Sequence, residues 1–110
     1  MSSKLRIAFI QSFLHWEEPE ANRSLFDTLL PAPGTCDLVL LPEMFATGFS
    51  MNPELSRHSP DMVHWMQQRA VEGNYALAGS LPWHENNQCF NRFFCCTPNQ
   101  QQFTYDKRHL

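Results

Sequence analysis

At 110 residues and a net charge of −3, the chain is one domain at most, and it lacks the basic stripe that nucleic acid would require of a partner. Nine Phe and three Trp point to generous burial, while no apolar run approaches the length of a membrane span. Four cysteines, Cys36, Cys89, Cys95 and Cys96, are too few for a disulfide scaffold and read as reduced, mostly buried thiols.

The N-terminus leads straight into an apolar segment without the charged and cleavable regions of a signal peptide, so a cytoplasmic location is expected. That segment, Lys4 to Gln11, predicts a strand. Leu5, Ile7 and Phe9 make one face strongly apolar, and Ala8 and Ile10 make the other partly so. Glu18 to Leu30 predicts a helix with Pro19 in its first turn. Ala21, Leu25, Leu29, Phe26 and Leu30 fall on one side at helical spacing, and Pro31 and Pro33 end it.

Cys36 to Glu43 predicts the second strand, built on the branched run Leu38 to Leu41 and suited to burial on both faces. Pro42 cannot donate to a ladder, so pairing weakens there and Glu43 stands at the carboxyl end, where open α/β sheets place ligands. By position alone Glu43 could be a solvated acid. The loop after it, Met44 to Met51, is too apolar for a solvent-facing connection and is expected to fold over something, which favours Glu43 as a proton acceptor.

Ser59 is the expected N-cap of a second helix, with Pro60 in its first turn, Met62, Val63, Met66 and Ala70 on its apolar face, and Gly73-Asn74 as the stop. Tyr75 to Leu81 predicts a third strand broken by Pro82 to Asn87. Cys89 to Thr97 predicts a fourth, and a turn at Pro98 to Gln101 leads into a fifth ending near Asp106. Strand, helix, strand at the start implies parallel pairs; the short polar turns later imply antiparallel ones. The fold class is therefore α/β with a mixed sheet.

Other constellations carry less. His15, His58, His64, His84 and His109 lack metal-site spacing, and no glycine-rich phosphate loop follows an early strand, so no metal or nucleotide is expected. Trp16, Trp65 and Trp83 read as core or interface anchors. Asn91-Arg92 interrupts an apolar strand, and Arg92 is either an edge charge or a carboxylate reader. Lys107, just past the fifth strand, is by itself a solvated charge; beside Glu43 it would hold the acid ionised and could stabilise an oxyanion.

Leu41-Pro42-Glu43-Met44-Phe45-Ala46-Thr47-Gly48-Phe49-Ser50-Met51, Gly79-Ser80-Leu81, Asn91-Arg92 and Tyr105-Asp106-Lys107-Arg108-His109-Leu110 together resemble the carbon-nitrogen hydrolase, or nitrilase, superfamily and, within it, the omega-amidases. The resemblance implies an α-β-β-α sandwich, of which residues 1–110 would be the N-terminal part of a single domain. It implies a Glu–Lys–Cys triad with Glu43 as base and Lys107 on the oxyanion, no cofactor, and hydrolysis of a short 2-oxo acid monoamide such as 2-oxoglutaramate through a cysteine thioester. Phe45 and Arg92 are the candidate substrate contacts. A homodimer is implied, or a partner chain supplying the rest of the domain. The family's nucleophilic cysteine lies downstream of the lysine motif, so none of the four cysteines matches it. The alternatives are a non-catalytic piece that completes a partner and a binding domain without turnover. Half a sandwich is further expected to leave an apolar sheet face uncovered.

Overall fold

The computed structural model describes residues 4–50 and 52–107. In chain order these form β1 (Ile7–Phe9), α1 (Pro19–Leu29), β2 (Leu38–Leu40), a short 3-10 helix (Pro53–His58), α2 (Ser59–Gly73), β3 (Ala76–Glu85), β4 (Gln88–Cys96) and β5 (Gln102–Lys107). One sheet takes all five strands in the order β1-β2-β3-β4-β5. The first two pairs are parallel and the last two antiparallel, so the expected mixed α/β sheet is present.

Both helices pack on one face of that sheet. They touch each other where Trp65 Nε1 on α2 donates to Asp27 Oδ1 on α1 at 2.9 Å, joined by Arg69 Nε at 2.8 Å. Strand alternation sorts the residues. The row Ala8, Val39, Leu77 and Cys96 lies under the helices, where Val39, Leu77 and Cys96 are fully buried. The adjacent row, Phe9, Leu40, Ala78, Cys95 and Phe103, turns to the other face, where Phe9 is 69% and Phe103 57% exposed. One helix layer on one sheet is half of the four layers expected. The strongly apolar face of β1 is therefore the one in water.

Several local expectations are corrected. Leu29 is exposed at the end of α1, and the buried polar residue on that helix is Asn22, which faces two loops rather than the sheet. Ser59 is the first residue of α2 and not its cap; its hydroxyl donates to the Pro82 carbonyl on β3. Asn74 does stop α2, in a left-handed conformation at φ 53°.

Pro82 does not break β3. Ala76 N–H donates to Asp37 O and Leu41 N–H to Ala78 O, so the even residues of β3 direct their backbone groups towards β2 and away from β4. Pro82 belongs to that set, and β2 has already ended beside it. Its missing N–H therefore costs the β3–β4 ladder nothing. The hairpin turns only at Asn86 and Asn87, both at positive φ, the geometry that two-residue hairpin loops demand.

Candidate active site

β2 stops where its sequence requires. Leu41 N–H still reaches Ala78 O at 2.8 Å, and Pro42 has no N–H to extend the ladder. Met44 then takes φ +52° and reverses the chain, with Thr47 and Gly48 N–H both returning to its carbonyl. The loop is held from several elements. Met44 N–H donates to Ser80 Oγ on β3 at 2.8 Å, Asn22 Nδ2 on α1 to Ala46 O at 2.7 Å, and Glu17 N–H to Thr47 O at 2.9 Å.

Of this loop's apolar side chains, Phe45 and Ala46 fold into the core beneath the carboxylate, while Met44 and Phe49 border a cavity beside it. Phe45 is fully buried, edge-on to Phe26 and tilted against Trp65, with both centroids 5.9 Å away. A Cβ at Gly79 would stand 2.9 Å from the Phe45 ring and 3.1 Å from Leu41 Cβ, so glycine is what lets the loop close on β3. Trp16, mostly exposed, lies against Gly48 on the outer side. Phe49 is exposed, and Met51 is outside the described residues.

This scaffold presents the Glu43 carboxylate to the uncovered sheet face, 36% of its side chain still accessible. Lys107, the last residue of β5 and not one beyond it, brings Nζ to 2.5 Å from Glu43 Oε2 and 3.1 Å from Oε1. Asn91 on β4 donates from Nδ2 to Oε2 at 3.2 Å. A cavity of about 520 Å³ opens there, its walls including Glu43, Met44, Phe49, Cys89, Asn91 and Lys107. A second, of about 440 Å³, touches Glu43 and Lys107 from the side of Ser80 and Tyr105. Arg108, His109 and Leu110, the end of the lysine motif, lie outside the described residues.

The structure does not bring all the sequence candidates together. Phe45 supports the loop from below, and its ring lines neither cavity. Arg92 points to the helix side of β4, where its guanidinium forks onto Asp106 at 2.5 and 3.0 Å, reaches Glu85 at 3.4 Å and lies 5.4 Å from the centroid of Trp83. It reads the protein's own carboxylates. Its hydrogen bonds hold the Asp106 carboxyl below the ordinary value and raise its own.

The cysteines divide as well. Cys36 and Cys96 are buried, Cys95 half-buried, and burial, with Cys95 alongside, pushes the Cys96 thiol up to about 11. Cys89, expected in the core, is exposed on the cavity wall. Among the described residues no three His, Cys, Asp or Glu side chains converge as a metal set, and no helix is long and apolar enough to cross a membrane.

A mixed α/β sheet with an acid–lysine pair at the carboxyl end of a parallel strand defines the class: an α/β protein with a paired carboxylate and ammonium on its uncovered face. Comparison with known proteins names the family. Residues 6–110 match the carbon-nitrogen hydrolases, and the chain belongs to that family. It is 34% identical over 109 residues to the omega-amidase YafV of Yersinia enterocolitica and 36% identical over 107 residues to that of Escherichia coli K12. These alignments take in 98% and 96% of the chain but 43% and 42% of the relatives' lengths. Among solved structures it is similar to XC1258 from Xanthomonas campestris, a CN-hydrolase superfamily protein with an arsenic adduct in its active site. There the TM-score is 0.87 at 36% identity, covering 96% of this chain and 41% of that one. An amidase of Nesterenkonia AN1 shares the fold at a TM-score of 0.73 and 21% identity.

Proposed function

We propose that the full-length protein carrying this chain is an amidase that hydrolyses the terminal amide of a short 2-oxo dicarboxylic acid monoamide, such as 2-oxoglutaramate. The observation that carries the reading is the Glu43–Lys107 contact, made across 64 residues of sequence at the wall of a cavity. In this mechanism Glu43 takes the proton of a cysteine thiol, and the thiolate adds to the amide carbon. Lys107 balances the charge that develops on the carbonyl oxygen. As the tetrahedral adduct collapses, Glu43 returns the proton to the nitrogen and ammonia leaves a thioester. Glu43 then deprotonates water, which attacks the thioester to release the acid and the thiol.

The nucleophile comes, in this reading, from outside these 110 residues. Cys36, Cys95 and Cys96 lie in or beside the core, and Cys89, although on the cavity wall, has no match in the family's cysteine motif. The apolar side chains on the face that carries Lys107, Phe93, Phe103 and Tyr105 among them, support a further layer packed there in the complete protein. Ammonia release tests the reading. The full-length protein is expected to release ammonia from 2-oxoglutaramate and much less from glutamine, and the 110-residue chain alone from neither. Equal turnover of both amides would remove the 2-oxo acid from the reading, and turnover by the chain alone would remove the external nucleophile.

A further inference from the structure

Asn91 is a buried polar side chain on the uncovered face of the sheet interior whose presence the catalytic pair does not by itself explain. It sits in register between Pro82 on β3 and Lys107 on β5, in a strand otherwise rich in Phe and Cys, and is 7% exposed. A buried amide in such a strand is unfavourable unless both of its ends are bonded. Here one end is. Nδ2 donates to Glu43 Oε2 at 3.2 Å, whereas Oδ1 is buried and has no partner among the described residues.

Turning the amide over would not help, because its carbonyl would then face the Glu43 carboxylate. The strand thus accepts an orphaned acceptor in order to aim a donor at Glu43. A leucine would fill the same space without that cost. Lys107 and Asn91 are cross-strand partners, and both converge on the same oxygen, Oε2. The sheet's own register therefore sets the angle at which the carboxylate is gripped.

We infer that Asn91 is a positioning residue for Glu43: it fixes the rotation of the carboxylate and, by donating to the charged form, keeps the base ionised. The inference rests on the reading of Glu43 as general base. Among the described residues, the titratable groups that share the cavities with Glu43 are Lys107 and Tyr105 from β5 and Cys89 from β4, and all three are unchanged when Asn91 is replaced. Removing the donor should favour the protonated acid, so the acidic limb of kcat/KM should move to higher pH.

The test uses the full-length protein with 2-oxoglutaramate, comparing Asn91→Leu, which keeps the branching but not the donor, and Asn91→Ala, which removes the donor without adding bulk or charge. Positioning predicts that kcat falls about tenfold or more, part of the roughly 10²–10⁴ that a placed base supplies, with a smaller change in KM and an acidic limb shifted upward. In a Glu43→Gln background, Asn91→Leu should cause little further loss. An unmoved acidic limb in either folded variant would overturn the inference. So would failure of both variants to fold, which would make Asn91 a structural residue. If Glu43→Gln itself keeps its turnover, the base reading fails first; if it is inactive while Asn91→Leu is normal, only the role of Asn91 falls.

Discussion

The two faces of the sheet are built from the same alternating strands and do opposite things. Under the helices, Val39, Leu77, Leu81 and Cys96 are sealed against Phe26, Phe45 and Met66, and that face holds the fold together. On the other face Phe9, Phe93, Phe103 and Tyr105 stand in water beside Glu43, Asn91 and Lys107. Stability is thus vested on one side and, under the proposed function, chemistry on the other, with the Met44–Gly48 loop running between them. Its Phe45 and Ala46 side chains anchor in the core while the carboxylate just before it reaches over the uncovered face.

That division can be tested by substitutions expected to affect one side and spare the other. Phe45→Ala should be the most damaging to the fold. Its ring is fully enclosed, so its loss should cost about 3–5 kcal/mol in denaturant unfolding, and activity should fall with the folded fraction. Lys107→Ala should do the reverse. Turnover should drop at least about a hundredfold, roughly 2.7 kcal/mol of barrier, while the melting temperature falls far less than in Phe45→Ala because Lys107 is no part of the hydrophobic core beneath the helices. Gly79→Ala drives a methyl group against Phe45 and Leu41 and should destabilise by about 1–3 kcal/mol, with some loss of activity through the displaced loop.

Arg92→Ala should be mildest. The Arg92 hydrogen bonds hold the Asp106 carboxyl below its ordinary 3.8, so the charged aspartate favours folding above about pH 4. That contribution fades as the pH falls through the lowered value. Melting curves between about pH 3 and pH 7 should therefore show an acid loss that is slightly smaller in the variant than in the wild type, the remainder coming from Asp27 and Asp37, whose carboxyls Arg69 and Arg6 also hold low. Turnover should change little, because the guanidinium faces away from the Glu43 cavity.

Much of this was legible in residue pattern. The run Leu38 to Leu41 closed by Pro42 put Glu43 at a strand end, and the order of strands and helices gave the mixed sheet. Other features depend on partners distant in sequence. Asn22 reads as a polar interruption of a helix until His15 and Ala46 arrive to bond it. Pro82 reads as a breaker because the early end of β2 beside it is not visible in a linear pattern. Arg92 and Asn91 are neighbours in sequence on opposite faces of β4, and only the register with Lys107 shows which of them reaches Glu43. Cys89 reads as a core thiol among its apolar neighbours, but alternation at the end of a hairpin leaves it on the cavity wall.

The central claim is that Glu43 is the base of the site. The most direct measurement is ammonia release from 2-oxoglutaramate by the full-length protein and its Glu43→Gln variant, each with a melting curve. The account predicts turnover in the wild type, a loss of at least about a hundredfold in the variant, and closely similar melting temperatures. A folded Glu43→Gln protein that turns over near the wild-type rate would contradict it.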